Sequence, residues 1–214
     1  MPSPSSPPPP AAPNLEADPE AAARASYRAL REKVDAFAAA VHTRRAADLA
    51  CRRGCAGCCR VELSLCAVEA AAVRAHLETL PPDEREALRR RAQRPPEAAP
   101  RCVMLGDDDA CAIYAARPLV CRTQGLPLRY PEDLIPEASV RGRVPGGAVT
   151  WCPLNFPAAA ERPPAAADVL DAERVDQALA LINRAYTTPS GPGRGDPLAR
   201  TTLRELAAYE KVIR

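Results

Sequence analysis

The sequence has few large apolar residues for its length. Alanine accounts for 44 of the 214 residues, whereas valine, isoleucine, leucine and phenylalanine together number 39, and aromatic residues make up 4%. This supply of large side chains is below the usual range of globular domains, so hydrophobic burial alone predicts a thin core. The net charge of +2 is too small to indicate a disordered chain. The fold therefore needs another source of stability.

The sequence also has no long apolar run, and its first residues do not have the pattern of a signal peptide. No stretch reaches the roughly 18 apolar residues of a membrane span. The opening MPSPSSPPPPAAP has neither the basic start nor the apolar run of a signal peptide. A near-neutral chain also lacks the basic excess that nucleic-acid binding requires. We expect a cytoplasmic protein with no membrane and no nucleic-acid partner.

Proline divides the chain into a tail and a domain. Eight of the 25 prolines fall in the first 19 residues, which removes backbone donors there and predicts a disordered tail over 1–18. The remainder, 19–214, is predicted to be a single cysteine-cluster domain. Its fold class is mainly α: a small helical domain with a loop-rich, cysteine-lined metal centre and one short β-hairpin.

Apolar spacing predicts five helices. Residues 27, 30, 34, 37 and 41 form one stripe on a helix from Pro19 to about Leu49, which needs a covering surface from this chain or from a protein partner bound through 20–49. The other helices are expected over about 66–80, 83–94, 167–186 and 198–212. A hairpin is expected over 102–114 around Gly106 and its aspartates, and 117–157 is expected to be loop.

Nine cysteines are the strongest chemical signal. An odd number in a reducing compartment indicates metal ligands or reactive thiols more than disulfides. Residues three and four apart share a helical face, so the segment CRRGCAGCC can bring several sulfurs toward one ion. Eight thiols would make two four-sulfur zinc sites or one iron–sulfur cluster with extra ligands. The eight candidate ligands are Cys51, Cys55, Cys58, Cys59, Cys102, Cys111, Cys121 and Cys152.

Two motifs resemble a known family. The run GCAGCC from Gly54, followed by Glu69 and then CAIYAARPLVCR over 111–122, resembles the CxxCxxCC proteins, whose domain is described as chelating zinc or iron. The resemblance covers about 51–155 and implies metal binding by the eight cysteines. Flagellin lysine methylases carry a similar cluster, but they are much longer than this chain, so their activity is not carried over.

The remaining candidates have weaker signals. Cys66 stands where a helix cap is expected, with Glu69 as its capping-box partner, and is interpreted as a cap or small buried residue. Arg117, Arg122 and Tyr114 are expected just behind the ligands, where a cation offsets thiolate charge. Arg52 and Arg53 are interpreted as surface charges. The two histidines are interpreted as helix residues, and Asp107–Asp109 as a polar turn.

The predicted function is metal binding through these thiols. Thiolates suit both zinc and iron. Closed zinc sites usually use two separated cysteine pairs, whereas this chain has a tight group of four and then single cysteines, which favours iron as an iron–sulfur centre. Two alternatives stay open: a structural zinc module mediating protein interaction, or a small redox or methyl-transfer enzyme. The Cys51, Cys55 and Cys58 spacing also matches radical S-adenosylmethionine enzymes, although no repeated strand–helix units are visible.

Overall fold

The structure is a computed structural model that describes residues 18–52, 54–95, 100–188 and 195–209. The predicted tail lies outside these residues except for Asp18. Within the described ranges there are six helices: α1 Pro19–Arg44, α2 Ala67–Leu77, α3 Pro82–Gln93, α4 Leu119–Thr123, α5 Ala172–Tyr186 and α6 Leu203–Ala208. The mainly α class is therefore confirmed. No described helix is long and apolar enough to cross a membrane.

Short strands complete the fold. They are β1 Ser64–Leu65, β2 Leu128–Tyr130, β3 Gly142–Val144, β4 Gly147–Thr150, β5 Leu170–Asp171 and β6 Thr201–Thr202. One sheet has the order β3-β4-β2-β5, in which β2 and β5 are parallel and the other pairs antiparallel. The second sheet pairs β1 with β6.

Helix α1 begins at a side-chain cap and ends earlier than predicted. The Asp18 carboxylate accepts from the Glu20 N–H at 3.0 Å, and Pro19 occupies the first turn, where its missing N–H costs nothing. The helix ends at Arg44 instead of the predicted Leu49. Asp48 instead lies in a short 3-10 turn, where its carbonyl accepts from the Phe156 N–H at 2.6 Å.

The apolar stripe of α1 is covered by this chain. Tyr27, Val34 and Val41 are buried, the first two in one cluster with Val68 of α2 and Tyr186 of α5. A second cluster joins α2, α3 and α6 around Val73, Leu88, Met104, Ile113 and Leu206. The stripe is thus core, and a protein partner for the 20–49 segment stays a prediction.

The prediction of loop throughout 117–157 was wrong, because this segment contains α4 and three strands of the larger sheet. Its prolines flank these elements instead of interrupting them: Pro118 caps α4, Pro131 follows β2, and Pro145 lies in the β3–β4 turn. At this turn Gly147 is required, since a Cβ there would lie 2.2 Å from the Tyr130 carbonyl oxygen. The hairpin of the fold is therefore β3–β4.

The hairpin expected over 102–114 is reduced to a single bridge between Leu105 and Cys111. Asp109 adopts a left-handed φ of 58° in the polar turn between them. Beyond the bridge, the Tyr114 N–H donates to the Cys111 carbonyl at 3.2 Å and closes a tight turn. These local bonds use the backbone groups that a longer strand pair would need.

Four helix boundaries differ from the predictions. Helix α2 ends at Leu77, not Leu80. Helix α3 begins at Pro82, directly after Pro81, and Asp83 lies in its first turn instead of before it. Helix α5 starts at Ala172 because the preceding residues pair with β2. Helix α6 starts at Leu203 after Thr202 caps it, and 210–214 lie outside the described residues.

Candidate metal centre

The cysteine-rich segment 51–59 is turned, not α-helical. Gly54 has a φ of +84°, and the Cys55 N–H donates to the Arg52 carbonyl at 2.9 Å. Only Gly57–Cys59 forms a 3-10 helix. The expectation that helical spacing aligns these sulfurs was therefore wrong. The left-handed backbone at Gly54 is incompatible with a continuous α-helix over 51–59, and the segment turns around a cavity instead.

A cavity of about 360 Å³ brings together cysteines from three parts of the chain. The rest of its wall is largely apolar and includes the buried Met104, Ile113 and Leu203, while Val61, Tyr114 and Val120 are exposed. The cysteines that line it are Cys55, Cys58, Cys59, Cys102, Cys111 and Cys121. Six of the eight candidate ligands thus face one space.

The thiols surround this space without converging on one point. Among the described residues, no group of three or more histidine, cysteine, aspartate or glutamate side chains is positioned to hold a single metal ion. Soft sulfur donors on an apolar wall suit zinc or iron chemically. The ligand assignments therefore stay predictions.

Cys58 and Cys59 act as a hydrogen-bonded pair. The Cys58 thiol donates to the Cys59 sulfur, which raises the pKa of Cys58 and lowers the pKa of Cys59. Burial and the thiols of Cys102, Cys121 and Cys111 oppose the fall at Cys59. Cys59 is thus the sulfur of this pair whose thiolate is better stabilised, and its neighbours come from the distant part of the motif.

Backbone contacts fix Cys102 and Cys111 against this pair. The Cys102 N–H donates to the Cys59 carbonyl at 2.8 Å, which joins the two motif segments directly. Burial raises the pKa of Cys102, and hydrogen bonds from the Met104 and Leu105 backbone oppose the rise. Burial likewise raises the pKa of Cys111 against a hydrogen bond from the Ile113 backbone. N–H groups aimed at sulfur also support thiolate ligands.

Cys121 lies on α4, whose start is set by a buried carboxylate. Oε1 of Glu69 accepts from the Leu119 N–H at 2.9 Å and from the Tyr27 hydroxyl at 3.4 Å. Burial is the largest cause that raises the pKa of Cys121 to about 12. The helix carries this thiol to the cavity wall.

Cys51 and Cys152 do not line the cavity. Each is half-buried, and the two thiols are close enough for Cys152 to raise the pKa of Cys51, although burial is the larger cause. A Cβ at Gly125 would lie 2.8 Å from the Cys51 sulfur and 3.7 Å from the Cys152 Cβ. The pair therefore packs on one glycine beside the main group.

Comparison with known proteins gives a family for this part of the chain. Residues 50–133 match the sequence model of the CxxCxxCC family, described as a "putative zinc- or iron-chelating domain". This part of the chain is therefore similar to that family. No curated protein and no solved structure matches the chain. The resemblance predicted from the motifs is confirmed, and so is the expectation of zinc or iron as the metal.

Asn155 lies beyond the matched residues 50–133, and sequence reasoning missed it. The residue is 1% exposed, and its side-chain oxygen accepts from the Ala50 N–H at 2.8 Å. Its amide nitrogen donates to the Gly125 carbonyl at 2.7 Å and to the Cys51 sulfur at 3.3 Å. The only signal was a polar residue in the CPLNF turn after Cys152. Asn155 fixes the chain on which Cys51 begins the motif.

Cys66 does not line the cysteine cavity. It occupies the N-cap position of α2 and is buried, as predicted, and its sulfur lies 3.8 Å from Oε2 of Glu69. Burial is the main cause that raises its pKa to about 11. Glu69 does not close the expected capping box, because its carboxylate points into the core toward α4.

The three residues expected just behind the ligands occupy different positions. They are Arg117, Tyr114 and Arg122. The Arg117 guanidinium stacks 3.7 Å from the centroid of the Tyr114 ring, and both side chains line the cavity. Arg122 instead makes two bonds to the Asp35 carboxylate, at 2.7 and 2.6 Å, and donates to the carbonyls of Ala115 and Arg117. Arg117 is thus placed to offset thiolate charge, whereas Arg122 links α1 to the motif.

The remaining candidates lie away from the thiols or at the surface. His42 is exposed and His76 half-buried, both on helices, and Asp107–Asp109 form the polar turn. Arg52 and Arg60 are exposed, although Arg52 borders the cavity mouth. Arg53 lies outside the described residues.

Proposed function

We propose that this chain holds an iron–sulfur centre in the cysteine cavity, ligated by thiolates from the six cysteines that line it. The observation that carries this proposal is the size of the cavity. Six thiols border about 360 Å³. A zinc ion held by four sulfurs at roughly 2.3 Å fills a small part of such a space. A cluster held by four thiolates contains two or four irons with bridging sulfides, and so spreads its ligands over a larger volume.

The surroundings of the thiols support the same proposal. Apolar walls and N–H groups directed at cluster sulfurs are the features by which proteins set cluster potentials. Cys102 and Cys111 have such N–H partners, and Met104 and Ile113 supply buried apolar wall. A bound cluster would supply one-electron transfer or a Lewis-acidic iron. This chain's own part is to hold, shield and charge-balance the group.

The charge balance falls to Arg117. Several thiolates around iron form an anionic centre, which a nearby cation stabilises. The positive charge of Arg117 opposes the rise in the pKa of Cys58, Cys111 and Cys121, in which burial or hydrogen bonding is the larger cause. Its stacking on Tyr114 holds the guanidinium at the cavity mouth.

One observation favours a structural zinc site as the second candidate. The Cys59 sulfur has Cys102, Cys111 and Cys121 as its electrostatic neighbours. These are four thiols, the number that a closed zinc site takes. In that case Cys55 and Cys58 would not belong to the zinc site and would group with Cys51 and Cys152 beside it. Zinc without sulfide would then be the bound species.

Serine substitutions test the ligand assignment. We expect Cys58→Ser and Cys121→Ser, purified without oxygen, to lose most bound metal per folded monomer, because a serine hydroxyl is a poor ligand for zinc or iron. Cys66→Ser is the matched control, since that thiol is buried but lies outside the cavity, and it should keep its metal. Full metal retention in the two cavity variants, or equal loss in the control, would overturn the proposal.

A further inference from the structure

A second cavity lies on the far side of Cys102 from the thiol cluster. Its volume is about 230 Å³, and Cys102 lines both cavities. Four guanidinium groups face two carboxylates around it, which leaves an excess of positive charge. The charged residues are Glu62, Arg91, Arg94, Arg101, Asp107 and Arg204.

In one of these arginines, all three guanidinium nitrogens already have partners within the fold. Arg204 pairs with Glu62 at 2.6 Å and donates to three carbonyls at the end of α3, those of Arg91, Ala92 and Arg94. This contact removes Glu62 as a counter-charge for the other arginines. The three guanidiniums that remain share Asp107 as the only other carboxylate lining the described cavity wall.

The other three arginines line the cavity and have guanidinium nitrogens without a partner among the described residues. Among the described residues, Arg91 bonds through Nε, which donates to the Val103 carbonyl at 3.0 Å. Arg101 bonds through one terminal nitrogen, which donates to the Gly106 carbonyl and forms an ion pair with Asp109 at 3.1 Å. Within the described part of the chain, the Arg94 guanidinium has no hydrogen-bond or ion-pair partner, and only the Arg94 backbone is bonded. Burial lowers the pKa of Arg91, the Asp107 carboxylate opposes this fall, and the charges of Arg94 and Arg101 lower the pKa further. Gathering like charges in a partly buried cavity is unfavourable unless an anion joins them.

We infer that Arg91, Arg94 and Arg101 form a binding site for the phosphate group of a small phosphorylated molecule. Guanidinium groups bind tetrahedral phosphate oxygens through paired, charge-assisted N–H bonds. The cavity volume admits a phosphate with a small organic group attached, and excludes a folded macromolecule. The site is separate from the thiol cluster, so it stands whether or not the metal proposal does.

Calorimetric titration of the full chain tests this site. The probes are inorganic phosphate and a simple phosphate monoester, glycerol phosphate, at matched ionic strength, with citrate as a carboxylate polyanion. We expect saturable binding of phosphate and tighter binding of the monoester. Binding of inorganic phosphate alone would identify a free-anion site. No saturable binding, or preference for citrate, would overturn the inference.

Two arginine variants on α3 and its end distinguish a site from general charge attraction. Arg94→Gln removes an unpaired guanidinium and should weaken phosphate binding by about tenfold or more, the effect of one charge-assisted hydrogen bond. Arg90→Gln removes the same charge from an exposed arginine that pairs with Glu86 outside the cavity, and should change binding less than about twofold. Equal weakening in both variants would contradict the site. Metal content should be unchanged in both.

Discussion

The backbone N–H of Leu119 donates to Oε1 of Glu69 across 2.9 Å, in the interior of the molecule. This contact ties α2 to the first turn of α4, two residues before Cys121. Tyr27 of α1 donates to the same oxygen. A single buried carboxylate thus connects three helices and sets the position of one predicted ligand.

Removing this carboxylate should loosen α4. Glu69→Ala leaves the Leu119 N–H and the Tyr27 hydroxyl without their acceptor, and we expect a loss of about 2–4 kcal/mol in the free energy of unfolding. Metal retention should fall as well, because Cys121 is no longer fixed. Glu69→Gln is the matched control, since its carbonyl oxygen can accept both bonds. Denaturant unfolding compares the two; equal losses would contradict the acceptor role.

The same residue predicts a pH dependence of stability. Burial raises the pKa of Glu69 above its ordinary 4.5, so the folded protein binds this proton more tightly than the unfolded chain does. Its contribution to stability is therefore complete below pH 4.5 and declines as pH rises toward the raised pKa. The difference in unfolding free energy between wild type and Glu69→Gln should fall with pH, by at most about 1.4 kcal/mol per unit. A difference that rises with pH would contradict the shift.

Asn155 should control both stability and the exposure of Cys51. Asn155→Ala removes the partners of the Ala50 N–H and the Gly125 carbonyl, and we expect a loss of about 1–3 kcal/mol. Alkylation of Cys51, followed by mass spectrometry, should become faster. Asn183→Ala is a matched control, because that buried amide bonds Val68 and Pro197 and has no contact with Cys51. It should lose similar stability without faster alkylation; faster alkylation in both would show a general loosening.

A side chain at Gly125 should lower the stability of the fold. Its φ is +93°, and an added Cβ would meet the Cys51 sulfur at 2.8 Å. Gly125→Ala is expected to cost at least about 1 kcal/mol, from the left-handed backbone alone. Gly57→Ala places a Cβ where no atom lies within 4 Å and should change stability little. Thermal unfolding of the two variants checks this, and equal behaviour would count against the packing of Cys51 on Gly125.

Local patterns in the sequence predicted the helices better than the site. The stripe from Tyr27 to Val41 identified α1, because amphipathic spacing is a local property. The pairing of Ser64–Leu65 with Thr201–Thr202 joins distant residues, and no pattern in either strand indicates it. The sheet around β2 was missed because prolines at its ends have the same appearance in sequence as prolines within a loop.

The grouping of cysteines shows the same limit. The motif identified which residues carry sulfur, but the Gly54 turn and the contact from Cys102 to the Cys59 carbonyl decide which of them face one cavity. Cys51 and Cys152 fall outside its wall, held by Asn155. That separation depends on a buried amide whose role becomes visible only in three dimensions.

The most direct test of the proposed iron–sulfur centre is the iron, zinc and acid-labile sulfide content of the full chain purified without oxygen. The account predicts iron and sulfide in comparable amounts, with both lost together in Cys121→Ser and retained in Cys66→Ser. Stoichiometric zinc without sulfide would contradict the cluster and leave the structural zinc site as the function of the cavity.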